Sequence, residues 1–181
     1  LGSLYQAVTP RTAGSNTLAI GDLTHSTLFL MILFMFIGAG SGSTAGGIKI
    51  TTFAVLVATM WSQIRGKEDV VLFKRRIVTE TILKALTVTM CGGLIVIVVT
   101  ILLSITEQHH SFMMYLFEAT SAFGTVGLSM GLTPELTPAG RLLLIITMFA
   151  GRVGPLTIAF AIAKRRKKES FRHPKGNIMI G

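Results

Sequence analysis

The sequence has few charged residues and a single cysteine. Of its 181 residues, 14% are charged, whereas about a quarter are charged in an average soluble domain. Cys91 alone excludes a disulfide framework and a cysteine-rich metal site within this chain. The shortage of charge also argues against disorder, since half of the residues are hydrophobic. With a mean hydropathy of +0.66, these absences predict an all-α integral membrane protein.

The charge that is present is mostly positive and is confined to a few places. Lys and Arg number 17 against 8 Asp and Glu, which gives a formal net charge of +9. Most of the cations lie in a loop, residues 62–79, and in a tail, residues 164–181, and each stretch follows an apolar segment. This positive-inside pattern predicts a multi-pass protein of the plasma membrane with both stretches cytoplasmic. Neither stretch is long enough for a folded nucleic-acid-binding domain, so no nucleic-acid partner is expected.

The first long apolar region is interrupted in its middle. Residues 28–37 are too few to cross a bilayer core of about 30 Å. A stretch rich in Gly and Ser, residues 38–47, separates them from a second apolar run at 48–61. Non-helical backbone at membrane depth is tolerated only where protein or a wet cavity satisfies its polar groups. We therefore expect a broken helix beside a pathway.

The second half of the chain predicts one complete helical unit over residues 80–163. An uncharged, apolar run predicts an outer helix at 80–106. Residues 111–123 are of a length that suits a re-entrant pore helix, and a Gly-punctuated filter segment follows at 124–129. An inner helix is predicted over 140–163.

The first part of the chain repeats the order of this unit. A Thr-Ala-Gly triplet precedes the broken helix, as a Thr-Val-Gly triplet precedes the inner helix. Gly14 and Gly127 are separated by almost the same stretch of chain as Gly42 and Gly154. Residues 1–61 are therefore predicted to be the end of a pore helix, a filter and a broken inner helix. We expect the chain to be part of a longer subunit whose N-terminal half is missing here.

These motifs resemble those of the Trk/Ktr/HKT potassium transporters. Residues 9–14 and 40–49 resemble the third repeat of that family, and residues 151–155, Gly-Arg-Val-Gly-Pro, resemble the matching place in the fourth. The Thr-Val-Gly triplet resembles the potassium-channel filter, although Leu128 and Ser129 stand where Tyr and Gly would continue it. The resemblance covers essentially the whole chain, is closest to the Ktr systems, and implies half of a four-repeat, potassium-channel-like pore.

The triplets carry chemistry suited to a dehydrated K⁺ ion. Backbone carbonyl oxygens can replace the water shell of the ion, and glycine can adopt the positive φ that turns them inward. K⁺ is the expected ligand, with Na⁺ as a second candidate, and no organic cofactor is expected. Tight turns between helices are the alternative explanation of these glycines. The predicted filter residues are Thr12, Ala13, Gly14, Thr125, Val126 and Gly127.

The Gly- and Ser-rich stretch is predicted to be a gate loop that obstructs the pore. A phosphate-binding loop would need Lys where Ile48 stands, and a helix-packing face of small residues is the other alternative. A helix is disfavoured here, because each Gly costs about 1 kcal/mol relative to Ala. The predicted gate residues are Gly38, Gly40, Ser41, Gly42, Ser43, Thr44, Gly46 and Gly47, with Arg152 as the residue that holds them.

Arg152 is singled out because its position in the inner helix corresponds to the middle of the bilayer. A cation there costs at least about 2.5 kcal/mol and normally faces a cavity or a partner. We expect it to bind carbonyls of the gate loop and to repel cations in the pathway. A structural ion pair with an acid in the missing half is the alternative.

Together these patterns predict the ion-conducting subunit of a potassium uptake system rather than an enzyme. The resemblance implies a homodimer that sits on a cytosolic ring of nucleotide-binding regulatory subunits; membrane lipid and the missing N-terminal half are the other expected partners. The alternative is a secondary transporter that binds a small solute at the broken helix. No Ser/His/Asp set, metal cluster or pair of carboxylates in register supports a membrane-embedded enzyme.

Overall fold

A computed structural model describes residues 2–16, 18–40, 42–43, 45–67, 69–72, 75–107 and 109–154. Within these ranges the chain is mostly helical, as predicted for an all-α protein. The helices are α1 (Gly2–Val8), α2 (His25–Phe36), α3 (Ile50–Ile64), α4 (Thr79–Thr106), α5 (Phe112–Gly124) and α6 (Pro138–Val153). Single 3₁₀ turns lie at Ile20–Asp22 and Thr133–Glu135. The predicted tail 164–181 and the end of the predicted inner helix lie outside the described residues.

A small hairpin in the basic loop is the departure from an all-helical chain. Strands β1 (Val71–Leu72) and β2 (Arg75–Arg76) pair antiparallel, with Val71 opposite Arg76. The Arg76 Nε lies 2.9 Å from the Asp69 carboxylate, and both side chains are largely exposed. Two-residue strands bury little, so this hairpin adds a local turn without altering the helical class.

Helix α4 has the length and composition of a membrane span. It runs for 28 residues and contains an 18-residue window with a mean hydropathy of 2.6, and among the described residues it is the one helix long and apolar enough to cross a bilayer. Large apolar side chains along it are exposed, including Met90, Leu94 and Ile105. Such a face requires lipid or another part of the protein to cover it.

The predicted broken helix is divided into two helices. Helix α2 ends at Phe36 and α3 begins at Ile50, and both are shorter apolar helices. Thr24 caps the start of α2 by accepting a hydrogen bond from the Thr27 N–H at 3.4 Å. Among the described residues between the two helices, backbone hydrogen bonds lie outside any helix, such as that from the Ser43 N–H to the Gly40 carbonyl at 3.1 Å.

Helix α5 lies at the centre of the described structure. Nine of its residues are buried, and it packs against α2, α4 and α6. Phe117 and Phe123 are fully buried, and the side chain of Phe123 stacks on that of Phe36 with the ring centroids 5.8 Å apart. A short helix surrounded on three sides in this way holds its C-terminal end, and the segment that follows it, in a fixed place.

Candidate functional site

The two predicted filter segments share an alternating backbone conformation. Thr12 and Gly14 have φ values of +71° and +73°, and Thr125 and Gly127 have values of +52° and +85°. A positive φ is uncommon for a residue other than glycine. An ordinary extended strand points successive carbonyl groups to opposite sides, whereas this alternation at both triplets can turn successive carbonyl groups toward the same side.

The filter segments also contact each other through their backbones. A methyl group built on Gly14 would lie 2.8 Å from the Val126 carbonyl oxygen, and one built on Gly127 would lie 3.7 Å from the Gly14 Cα. The Val126 side chain is buried in the core formed by α2 and α5. The two segments therefore lie in backbone contact at Gly14 and Val126, while the Val126 side chain is packed in the core.

Each filter segment is tied to the short helix that precedes it. Glu118 is only 4% exposed in α5, and its Oε1 accepts a hydrogen bond from the Thr133 hydroxyl in the chain that follows the filter. In the other segment the Tyr5 hydroxyl of α1 is hydrogen-bonded to that of Ser15. The buried Glu118 carboxylate thus binds a group in the chain that follows the filter segment.

A cavity of about 340 Å³ lies beside the contact between the two segments. Gly14 and Asn16 line one side of it, and Gly127 and Ser129 line another. Backbone and hydroxyl oxygens at this cavity are the kind of ligand that an alkali cation accepts.

The gate loop is closed at its base by backbone hydrogen bonds. The Ile48 N–H donates to the Phe36 carbonyl at 3.1 Å, and the Ile50 N–H donates to the Ala39 carbonyl at 3.3 Å. Ile37 and Ile48 form an isolated parallel bridge. Two predicted gate residues, Ser41 and Thr44, lie outside the described residues.

Lys49 holds the carbonyl groups of the gate loop. Its ammonium donates to the Ala45 carbonyl at 2.5 Å and to the Ser43 carbonyl at 3.2 Å. From the sequence, Arg152 was predicted to hold the loop, and Lys49 is not among the predicted gate residues. The Arg152 side chain is exposed near the end of α6, and its contact with the loop stays a prediction.

The gate loop and the second filter segment lie in contact. The Gly46 N–H donates to the Thr125 hydroxyl oxygen at 3.0 Å. A methyl group on Gly47 would lie 3.5 Å from the Gly124 Cα, at the end of α5. Two sets of residues that the sequence predicted from separate motifs therefore come together in one place.

A family of proteins matches this chain over almost its whole length. The sequence model of TrkH, described as cation transport protein, matches residues 1–173. The chain belongs to the TrkH family. The predicted membership of the Trk/Ktr/HKT group is thereby confirmed, and the family is one of cation transporters rather than of enzymes.

Curated relatives of this TrkH-family chain carry names of potassium uptake proteins. The chain is 49% identical over 179 residues to Ktr system potassium uptake protein B of Bacillus subtilis and 41% identical over 181 residues to the protein of that name from Vibrio alginolyticus. It is 40% identical over 184 residues to potassium/sodium uptake protein NtpJ of Enterococcus hirae. These matches cover 99%, 100% and 99% of this chain but only 40%, 39% and 41% of the relatives. The chain therefore spans about two fifths of their length.

One structural residue of this TrkH-family chain was missed by the sequence reasoning. Glu107 follows α4 and is 6% exposed, and its Oε1 accepts hydrogen bonds from the Thr137 N–H at 3.0 Å and from the Thr137 hydroxyl. Thr137 in turn caps α6 by accepting from the Gly140 N–H at 3.3 Å. An acid beside a helix N-terminus also meets the positive end of the helix dipole. The Thr137-Pro138 pair was a signal for this helix start, but nothing in the sequence paired it with Glu107.

Replacing Glu107 by alanine is expected to destabilise the full-length protein by about 1–3 kcal/mol, because the Thr137 N–H and hydroxyl lose their hydrogen bonds to the Glu107 carboxylate. Thermal unfolding in detergent measures the effect. Glu135→Ala is the matched control: that carboxylate is exposed and lies 3.2 Å from the His110 Nε2, and exposed pairs contribute about 0–1 kcal/mol. Equal losses from the two variants would contradict the capping role.

Proposed function

We propose that this chain forms part of a K⁺-conducting pathway whose filter is built from backbone carbonyls at residues 12–14 and 125–127. The observation that carries the proposal is the contact between two segments with the same left-handed alternation, at Gly14 and Val126. Peptide oxygens offered from both segments can replace the hydration of an alkali cation without adding net charge. The relatives named for potassium uptake, and one named for potassium and sodium, support K⁺ with Na⁺ as a second ion.

The proposed arrangement divides the chain into parts of two successive pore repeats. Residues 1–61 form the later part of one repeat, 62–79 form a cytoplasmic loop, and 80–163 form the next repeat, with the tail 164–181 cytoplasmic. The order of a long apolar helix, a short buried helix, a filter segment and a further helix in α4 to α6 supports this division. The basic residues after the apolar spans support a plasma-membrane protein with both basic stretches inside.

The remaining components belong to the whole protein and are proposed for it. Its other repeats would complete the ring of filter segments around one pore, and membrane lipid would cover exposed apolar faces such as that of α4. Relatives named as parts of the Ktr system support the presence of further subunits. The homodimer and the cytosolic ring of nucleotide-binding regulatory subunits that the family resemblance implies are proposed for the whole protein. The basic inner face is the surface that such a ring would contact.

The gate loop is proposed to close the pathway from one end of the filter. Its contact with Thr125 and its closure by Lys49 support an obstruction in that position. In this proposal Lys49 and Arg152 both hold the loop in place, and Arg152 also adds a positive charge that repels cations. The loop must then move for ions to pass.

Replacing Arg152 by glutamine in the full-length subunit is expected to raise the maximal rate of K⁺ uptake about fivefold, since one hydrogen bond holding the loop and the repelling charge are both lost. Lys49→Gln is expected to act in the same direction, because it weakens the contacts with the Ser43 and Ala45 carbonyls. Uptake is measured in cells that lack other K⁺ uptake systems, with the amount of folded protein checked for each variant. Folded Arg152→Gln protein with unchanged uptake would leave Lys49 alone as the residue that holds the gate.

Fluxes of K⁺, Rb⁺ and Na⁺ through the full-length subunit in liposomes test the proposed function. Movement of K⁺ and Rb⁺ down their gradients, dependent on Gly127, is the expected result. Transport of a small organic solute that is insensitive to substitution at Gly127 would instead indicate a secondary transporter at the broken helix.

A further inference from the structure

Thr125 stands at the junction between the filter and the gate loop. It ends α5 in a left-handed conformation with a φ of +52°, and its hydroxyl oxygen accepts the Gly46 N–H at 3.0 Å. The approach is close, because a methyl group on Gly46 would lie 2.8 Å from the Thr125 hydroxyl oxygen and 3.0 Å from the Gly124 carbonyl oxygen. A larger residue at position 46 would therefore push the loop away from the filter.

Both sides of this hydrogen bond are held in place. On the filter side, the Thr125 and Val126 N–H groups donate back into α5, to the Ala122 carbonyl at 3.0 Å and the Ser121 carbonyl at 2.9 Å. On the loop side, Lys49 binds the carbonyl of Ala45, directly before Gly46. The contact therefore joins two segments that each have further hydrogen bonds of their own.

We infer that the Thr125 hydroxyl is a positioning residue for the gate: it seats the loop against the filter by accepting the Gly46 N–H. This inference rests on the proposed function, because it assumes that the loop closes an ion pathway. A seated loop also points the positive end of the Gly46 N–H dipole at the end of the filter, where it opposes a passing cation. Loss of this one bond shifts the loop towards its open position.

Thr125→Val in the full-length subunit removes the acceptor but keeps the branched shape of the side chain. We expect the maximal rate of K⁺ uptake in liposomes to rise about threefold to fivefold, the change that one net hydrogen bond produces. Thr125→Ser keeps the hydroxyl and is expected to raise the rate less than Thr125→Val does, because the Gly46 N–H keeps its acceptor.

A double-mutant cycle with Gly46→Ala tests the contact directly. Gly46→Ala alone is expected to raise uptake, because the added methyl group meets the Thr125 side chain and the Gly124 carbonyl. The two substitutions together are expected to raise uptake no more than either alone, since both break the same contact. Gly93→Ala in α4 is the matched control: its added methyl group has an ordinary contact, 3.9 Å from Phe36, and no change in uptake is expected.

The outcomes separate this inference from the proposed function. The coupling is overturned if the effects of Thr125→Val and Gly46→Ala on the rate of K⁺ uptake multiply in the double variant, or if neither variant raises that rate. Neither outcome contradicts a filter that depends on Gly127. Uptake that is insensitive to Gly127→Ala would overturn the proposed function itself. If Thr125→Val does not fold, the Gly46→Ala variant alone tests the inference. A rate of K⁺ uptake equal to that of wild type then overturns the coupling.

Discussion

Replacing Gly127 by alanine is expected to reduce the rate of K⁺ uptake by at least about tenfold. Gly127 has a φ of +85°, a conformation that costs an L-residue about 1–2 kcal/mol. The chain can relieve that strain by rotating the neighbouring peptide groups, but the rotation turns carbonyl oxygens away from the ion. A strain of only about 1–2 kcal/mol can therefore remove carbonyl ligands that the ion needs, and uptake falls by more than the strain alone would produce. Rubidium uptake in cells that depend on the full-length subunit measures the effect.

Gly66→Ala is the matched control for backbone strain. Gly66 has a φ of +63°, lies in the basic loop and has open space where a methyl group would be added. Its replacement carries a similar local cost far from the filter segments, so we expect it to leave uptake near the wild-type rate. Equal losses of uptake from Gly66→Ala and Gly127→Ala would indicate general destabilisation and contradict the assignment of a filter.

Replacing Gly151 by alanine is expected to destabilise the protein by about 3 kcal/mol, at the upper end of the range for overpacked cores. A methyl group on Gly151 would overlap the carbonyl oxygen of Phe123 and would lie 2.8 Å from its carbon and 3.1 Å from its Cα. These are backbone atoms at the end of α5, and no side-chain rotation can move them aside. Helix α6 would have to separate from α5. The filter residues 125–127, which directly follow α5, would then lose their support.

Thermal unfolding of the full-length subunit in detergent, with and without K⁺, measures this effect. Gly93→Ala again supplies the control, because it adds the same methyl group to a helix at an ordinary contact distance. Alanine is favoured over glycine in a helix by about 1 kcal/mol, so this control is expected to be neutral or slightly stabilising. A Gly151→Ala protein as stable as the control would show that α5 and α6 do not pack in this register.

The helices were predictable where hydrophobic length alone decides the structure. A run of 22 uncharged residues, 85–106, can form little other than a membrane-spanning helix, and the structure has α4 at Thr79–Thr106. The short apolar stretch at 111–123 was likewise too short to span, and the structure has α5 at Phe112–Gly124. The hairpin in the basic loop was not predicted, because two-residue strands leave no hydrophobic pattern in the sequence.

The gate loop shows where sequence reasoning became imprecise. Glycine content predicted a break in the helix, since glycine opposes helix formation wherever it stands. Which cation holds the loop depends on the path of the backbone between α2 and α3, and that path brings the Ser43 and Ala45 carbonyls to Lys49. Arg152 was singled out by its predicted position in the middle of the bilayer. That position does not tell which carbonyl groups lie near its side chain.

The sequence by itself determined that the chain is helical and suited to a membrane, that one helix is broken, and that two Gly-containing triplets stand in corresponding places. Hydrophobicity, charge and backbone freedom are properties of single residues and short stretches, so they are known from the sequence without the tertiary structure. Only the tertiary structure decided that Gly14 touches Val126, that Gly46 donates to Thr125 and that Glu107 caps α6. Each of those contacts joins parts of the chain that are distant in sequence, and their meeting depends on how α2, α4 and α6 pack around α5.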